Sequence, residues 1–499
     1  MPYNVIKIQT PAGPGIKPVG QELIFVMSCL DAVQNELNVK YVFNLGTYRS
    51  ITGFSIGVTV GDFKTTPNNA GVGMIDFSNL MSNYVAADNM SQSNSTWKSR
   101  GAGGQPVPIH LIDRYSLNTN AVCGFGTVCW AEYIDSAGVK QITNKVFNLW
   151  IMMNAYIKTE DPLFFTSLPV TGAQFGGGYD MQKFEMSTIN FTAGKYGSFL
   201  SNSPTTQWAR KYDYGTMAYI QISNFNIDND PAYSFNDVAY YKFTFYPEYD
   251  AGGSLLHTKE VEKKENQGAF DGSGGTGTNS LENHLLYFGA FPANIIAIDS
   301  SFSSKVGTEI LSYTVETYNK DDERLSETKI INIACDDHRD YEPIRLTWLN
   351  QWGTWDYYTF MQKSTKTIKT KGTTYSPTSI QWNKTYSNPS SSSSGGKRTF
   401  RVNATETIKM NTDYITEDHS EWFEELINSP EVYQLRDRYG TRTYDSYFLA
   451  PSVMPSMNEY VRPVTLKTTS LVKKTKANDG LVQYTFEIEK SKKLKTQTV

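Results

Sequence analysis

Apolar and polar residues alternate along most of this chain, and this period of two constrains its fold class more than any other feature. The clearest run places Val482, Tyr484, Phe486 and Ile488 between polar residues. Because successive side chains of a strand point to opposite faces, such a run predicts a strand with one buried face. The sequence contains no long helical period. We therefore predict a mainly β fold, with several β-sandwich-like domains and a few short helices.

The composition favours the same fold class. Aromatic residues make up 13% of the 499 residues, with 32 Tyr and 26 Phe, whereas charged residues make up only 19%. Aromatic side chains pack well on a pleated surface, so this excess is typical of β-rich chains. The net charge of −4 argues against a chain whose whole surface binds nucleic acid.

Local patterns predict one hairpin and two short helices. Strands near 310–318 and 325–335 are separated by a polar turn, which indicates a hairpin. Ser78 is a candidate cap for a short helix. A second, amphipathic helix follows Thr416 and ends at Pro430, and we predict that it closes one end of a sheet.

Composition shifts predict the domain organisation. Gly-rich and Ser/Gly-rich stretches are typical of linkers and exposed loops. We predict an N-terminal β domain, a second β region, a Gly-rich linker, a β-sandwich domain, a Ser/Gly-rich loop and a C-terminal β domain with one short helix, over residues 1–170, 171–267, 268–280, 281–386, 387–397 and 398–499.

The N-terminus and the cysteines predict the compartment. No apolar stretch follows Met1, so we expect no secretory signal peptide and synthesis in a cytoplasm. The most apolar window, 146–157, is interrupted by asparagines and is too short for a membrane span. The four cysteines are too few and too scattered for a disulfide framework, so we predict that all are buried thiols.

Two motifs carry a chemical signature, and neither meets the requirements of its site. Gly272, Gly274 and Gly277 match a dinucleotide fingerprint, but no strand precedes them and no amphipathic helix follows, so we interpret them as a linker. Cys335 and His338 lie among aspartates, but no second ligand pair accompanies them as zinc would require. We predict no catalytic, metal or cofactor-binding residue and no enzymatic activity.

Lysines cluster at the C-terminus. Residues 465–499 hold eight Lys, among them Lys490, Lys492, Lys493 and Lys495. Aromatic residues suited to base stacking do not alternate with these lysines. We therefore favour a solvated strand or a tail that docks on an acidic neighbour, and nucleic-acid contact remains the third interpretation.

The densest aromatic segment spans residues 345–360. Its turn at 350–353 includes Gly353, which can take a positive φ, and both faces of the strand that follows carry rings. Rings on both faces predict packing on both sides, within a sandwich or against another subunit. The candidate interface or packing residues of this segment and of the helix after Thr416 are Trp348, Trp352, Trp355, Tyr357, Tyr358, Phe360, Trp422 and Phe423.

This segment resembles the "LNxxGxWDxxTF" stretch of virion proteins from tailed phages of Bacteroidota, including crAss-like podoviruses. Shorter similar pieces occur in the same order at 39–43, 73–78, 199–204 and 421–433, so the resemblance touches most of the chain. These are packing motifs, not active sites. The resemblance implies a structural component of the virion in the neck or tail.

We therefore expect a virion protein, made in the host cytoplasm, that forms part of a symmetric ring or of a neck or tail assembly. Its expected partners are copies of itself and other tail, neck or portal proteins, with no membrane and no cofactor. Two alternatives stay open: a receptor-binding or glycan-binding module of a tail or fibre, and a cell-envelope hydrolase whose paired carboxylates sequence spacing does not reveal.

Overall fold

A computed structural model gives the fold of this chain. The chain divides into two compact units, of which the first comprises Met1–Asp336, Leu349–Tyr357 and Tyr439–Met454, and the second comprises the remainder. The residues that the structure describes are 3–11, 16–48, 58–91, 107–112, 114–158, 181–186, 196–220, 238, 240–246, 258–261, 284–319, 322–334, 341–376, 396–435, 461–472 and 482–491.

Strands dominate the described residues, and the prediction of a mainly β fold with few short helices is confirmed. The strands are β1 (Ile6–Gln9), β2 (Ile16–Pro18), β3 (Ile24–Ser28), β4 (Leu37–Tyr48), β5 (Val58–Thr65), β6 (Val72–Asp76), β7 (Tyr115–Leu117), β8 (Val122–Ile134), β9 (Lys140–Ile142), β10 (Val146–Met153), β11 (Thr206–Arg210), β12 (Thr216–Ile220), β13 (Tyr240–Tyr246), β14 (Thr258–Val261), β15 (Leu285–Gly289), β16 (Ser312–Tyr318), β17 (Lys329–Ala334), β18 (Ile344–Leu349), β19 (Trp355–Phe360), β20 (Thr365–Tyr375), β21 (Arg398–Asn411), β22 (Val432–Leu435), β23 (Val461–Leu466) and β24 (Thr485–Lys490).

The α-helices are short, and both predicted helices are present. They are α1 (Leu30–Asn35), α2 (Ser78–Met81), α3 (Pro292–Ile298) and α4 (Asp418–Asn428), and single 3₁₀ turns lie at Ser82–Tyr84, Ile109–Leu111, Gln182–Phe184 and Ser300–Phe302. The predicted cap of α2 is wrong, because Phe77 holds the cap position and Ser78 is the first helical residue. The Asp76 carboxylate accepts hydrogen bonds from the backbone and side chain of Ser78, so the aspartate anchors this turn.

Two sheets of the first unit pack face to face. A three-stranded sheet has the order β1-β3-β6, and a larger one has the order β2-β10-β8-β4-β5 with β9 paired to β8. Phe25 of the smaller sheet lies edge-on to Trp150 of the larger, with ring centroids 4.7 Å apart, and Phe77 joins them. Phe43 and Phe125 lie in the same buried cluster. This arrangement is that of a β-sandwich.

Two further sheets complete the first unit. Their strand orders are β11-β17-β16-β13-β14 and β12-β15-β7. The predicted hairpin is confirmed, since β16 and β17 pair antiparallel. The five-stranded sheet joins strands from the predicted regions 171–267 and 281–386, so hydrogen bonding crosses that boundary. Composition marks a loop well, but it does not reveal which strands pair across it.

The second unit is built on one seven-stranded sheet, in the order β19-β18-β22-β23-β24-β21-β20, with α4 packed against it. Leu426 and Phe423 of α4 are fully buried, as the amphipathic pattern predicts. The sheet combines strands from the predicted domains 281–386 and 398–499. The tip of the β18–β19 hairpin, Leu349–Tyr357, belongs to the first unit.

Gly353 in this hairpin tip has the positive φ that the sequence predicts. Its φ is 73°, and its N–H donates to the Asn350 carbonyl. A Cβ added at Gly353 would lie 1.7 Å from the backbone oxygen of Asn154. The glycine is therefore required twice, by its backbone conformation and by the close approach of another segment.

We predict that Gly353→Ala lowers the free energy of unfolding by about 3 kcal/mol or more, because left-handed strain and a backbone clash add together. The matched control is Gly138→Ala. Gly138 has a φ of 77° but no atom within 4 Å of an added Cβ, so only the strain of about 1 kcal/mol remains. Equilibrium unfolding in urea measures both. Equal losses in the two variants would contradict the close packing of the hairpin tip.

Candidate functional site

The candidate aromatic residues of the second unit form its core. Trp348 and Trp422 are buried with ring centroids 5.0 Å apart, and Phe423 contacts both rings. Phe360 is fully buried in the same cluster, and Tyr358, which is partly buried, lies edge-on to Phe423 at 4.9 Å. These five side chains join α4 to the sheet.

The other three candidates lie in the hairpin tip and are buried in the first unit. Trp352 packs on Phe184 at 4.4 Å, and its indole N–H donates to the Asn202 amide oxygen at 3.1 Å. The Trp355 indole N–H donates to the carbonyl of Asp88 at 2.8 Å. The tip is therefore held by directed hydrogen bonds as well as by apolar packing.

Tyr357 is the centre of a buried polar cluster. Its hydroxyl lies 2.9 Å from Nδ1 of His110 and 2.9 Å from Oγ1 of Thr216, and all three side chains are buried. A cavity of about 10 Å³ adjoins Tyr357 and Asp356. This volume has room for about one water molecule.

Asp88 is a second buried polar group of the first unit. One of its carboxylate oxygens accepts hydrogen bonds from the backbone of Thr119 and Asn120 and from the Thr119 hydroxyl, and the other accepts from the hydroxyl of Tyr287. Burial raises the pKa of the Asp88 carboxyl, and these hydrogen bonds oppose the rise. Its hydrogen-bond donors are groups of the loop at Thr119 and Asn120 and the hydroxyl of Tyr287 on β15, so Asp88 joins a loop to a strand as a structural anchor does.

All eight candidate rings thus pack inside the chain. Seven are buried and Tyr358 is partly buried, so they leave little area for another subunit to cover. A surface that makes subunit contacts would therefore lie on exposed strands and not on these rings.

The predicted thiols and motifs have different outcomes. Cys29, Cys123 and Cys129 are buried free thiols, as predicted. Cys335, His338, the glycine motif at 272–277 and the last three clustered lysines lie outside the described residues. Among the residues that are described, no three His, Cys, Asp or Glu side chains converge as a metal site needs, and no helix has the length and apolarity to cross a membrane.

The hairpin of β20 and β21 carries the longest fully exposed strand among the described residues. These strands pair antiparallel along the whole of β20, whereas β24 pairs only with Thr407–Asn411 of β21. Residues 368–375 and 398–406 are therefore a two-stranded extension of the sheet, which we call the arm. Every residue of β20 is exposed, and β20 is the edge strand of its sheet.

The two faces of the arm differ in chemistry. Ile368 and Val402 lie on one face, and Lys369 and Lys371 lie on the other. Phe400 follows a register shift and packs edge-on to Tyr375, and both Ile368 and Phe400 are more than half exposed. The single acidic residue of the arm, Glu406, pairs with Lys490 at a distance of 2.6 Å, so the remainder of the arm is basic. The arm therefore combines exposed apolar side chains with a positive charge.

Sequence reasoning missed the arm. Its strand β20 reads TKTIKTKGTTY, where threonine alternates with lysine and only one residue is aliphatic. The alternation of apolar residues that identifies a half-buried strand is absent, because neither face of β20 is buried. The usable signal is the run of β-branched threonines itself.

We predict that Tyr357→Phe lowers the free energy of unfolding by about 1–3 kcal/mol, because it removes both hydrogen bonds of a buried hydroxyl. Urea unfolding followed by tryptophan fluorescence measures the loss. Tyr414→Phe is the control, since Tyr414 is 70% exposed, and its effect should stay within about 0.5 kcal/mol. Equal effects would show that the cluster around Tyr357 contributes nothing.

Comparisons with known proteins give no family. No family model matches this chain, and no curated protein matches it. Two solved structures of Escherichia coli alpha-2-macroglobulin are weakly similar: the native conformation, with 9% identity and a TM-score of 0.18 over 82% of this chain, and the trypsin-activated form, with 9% identity and a TM-score of 0.17 over 83%. This chain spans 18% and 26% of those two chains. A likeness at this level carries no argument about fold or function.

Proposed function

We propose that this chain is a structural component of a phage virion, in which copies assemble with one another and with other neck, tail or portal proteins in a symmetric ring or sleeve. The proposal begins from the resemblance of the 345–360 segment and its neighbours to virion proteins. The observation that carries it is the arm. A role in making interfaces gives the arm a purpose that folding of a single chain does not.

An isolated two-stranded hairpin is marginally stable in water. Strand β20 of the arm is exposed on both faces, and its eleven residues would extend roughly 36 Å at about 3.3 Å per residue. An edge strand also presents unpaired backbone groups that invite pairing with another chain. Covering the arm in an assembly would remove both penalties.

The closed character of the polar clusters agrees with a structural role. His110 and Thr216 are buried and each is hydrogen-bonded to the buried Tyr357 hydroxyl, and the adjoining cavity has room for about one water molecule. Groups of this kind fix the hairpin tip in place. We propose accordingly that the chain is not an enzyme.

One exposed ring favours the alternative of a glycan-binding tail or fibre module. Trp208, on the edge strand β11, is 56% exposed. Exposed tryptophan faces suit the apolar faces of sugars. Binding on a glycan array that Trp208→Ala abolishes, in a protein whose assembly is unchanged, would favour this alternative.

We predict that the purified full-length chain forms closed oligomers of one defined copy number, and that the same chain is a stoichiometric component of purified phage particles. Native mass spectrometry measures the first and quantitative peptide mass spectrometry of particles the second. The physical reason is that assembly covers the arm and the edge of β20. A chain that stays monomeric at every concentration and is missing from particles would contradict the proposal.

A further inference from the structure

The sandwich of the first unit carries apolar residues on its outside. In the sheet β1-β3-β6, Phe25 and Met27 face the core, so the residues of opposite parity face outward. The apolar ones among them, which we call the outer face, are Ile6, Ile24, Val26, Val72 and Met74. Ile6 and Met74 are more than half exposed.

A sheet with one apolar face in the core and a second apolar face outward needs a cover. Val26 on the central strand is only 9% exposed and is not a member of the core cluster, whereas Ile6 and Met74 on the edge strands remain exposed. Asp31 lies just beyond the end of β3, and Asp76 pairs with Ile24 at the beginning of β3. Both aspartates are exposed. The outer face is therefore an apolar patch with a carboxylate near each end of its central strand.

The two units carry opposite net charge. The first unit has 34 acidic and 24 basic residues, a net of −10, and the second has 16 acidic and 22 basic residues, a net of +6. Together they give the net of −4 of the whole chain. Charge complementarity of this size steers association and fixes which surfaces meet. It favours contact between the second unit of one copy and the first unit of another.

Lysines on β20 disfavour the competing contact, in which two arms pair with each other. In an antiparallel pairing of two β20 strands centred on Thr370, Lys369 of each copy would lie opposite Lys371 of the other. Like charges on an edge strand are a common means of preventing such pairing. The arm therefore requires a partner surface that is not another arm.

We propose that the arm of one copy docks on the outer face of a second copy, with Phe400 against Ile6 and Met74, and with the arm's basic side chains directed toward Asp31 and Asp76. Long lysine side chains can reach past the edge of the apolar contact to such carboxylates. The inference rests on the proposed assembly and names the surfaces that make it. Because the two surfaces differ, the contact is head-to-tail and generates a ring when the rotation closes.

Cysteine cross-linking of full-length protein tests this contact. Met74→Cys and Phe400→Cys are made as separate variants, mixed under mild oxidation, and examined on non-reducing gels. We expect cross-linked dimers in the mixture and none in either variant alone, and a ladder of multimers from the double variant M74C/F400C. Wild-type protein controls for the native thiols.

Charge reversal is the second part of the test. We expect K369E/K371E in the F400C background to lower the yield of cross-linked dimer roughly tenfold, because attraction to an acidic surface becomes repulsion. The matched control is K363E/K409E, which makes the same change of net charge in the second unit outside the arm. Equal losses for both pairs would overturn the role of the arm's lysines.

Three other results would overturn the inference. Cross-linking of Phe400→Cys alone would mean that arms pair with each other. Assembly without any Met74–Phe400 cross-link would place the interface elsewhere and leave the proposed virion role standing, whereas a monomeric wild-type chain would remove both. Tight binding of a fluorescent DNA duplex that K369E/K371E abolishes, without cross-linking between copies, would assign the arm to nucleic acid.

Discussion

A β-sheet has two faces, and each apolar face must be covered by something. This constraint organises both units of the chain. In the first unit, Phe25 and Trp150 meet between two sheets, and in the second, α4 places Trp422 and Phe423 against the seven-stranded sheet. Two of the described surfaces that leave apolar residues uncovered are the arm and the outer face of β1-β3-β6. The functional proposals start from these two places, because exposed apolar strands are an aggregation liability unless they have a partner.

The hairpin tip 349–357 shows how directed bonds complement burial. Trp355 donates to a carbonyl 267 residues away in sequence, and Tyr357 bonds His110, 247 residues away. A buried ring with a polar atom needs a partner for that atom, so each of these bonds selects one arrangement of the tip. Gly353 permits the approach by lacking a side chain where the backbone of Asn154 passes.

The sequence predicts features that local physics decides. The alternation of apolar residues identified the strand that contains Phe486 and Ile488, and the amphipathic period identified α4 between Thr416 and Pro430. The pairing of strands across long loops could not be predicted, because it depends on contacts between residues far apart in sequence. The same limit applies to the eight aromatic candidates. Rings on both faces of β19 predicted packing on both sides, but the pattern is identical whether the cover comes from another subunit or, as observed, from this chain. The arm was missed because a strand with no buried face lacks the alternation on which strand prediction depends.

The central claim is that β20 is an edge left open for assembly. Amide hydrogen exchange of residues 365–375, compared between the dilute chain and the assembled protein, tests it directly. In the dilute chain the outward N–H groups of β20 have no described strand beside them and should exchange rapidly. The account predicts that assembly slows exchange in 365–375 and in Ile6–Gln9 of β1 together, while the cores of both units remain unchanged. Exchange in 365–375 that is equally fast in the assembled protein would contradict it.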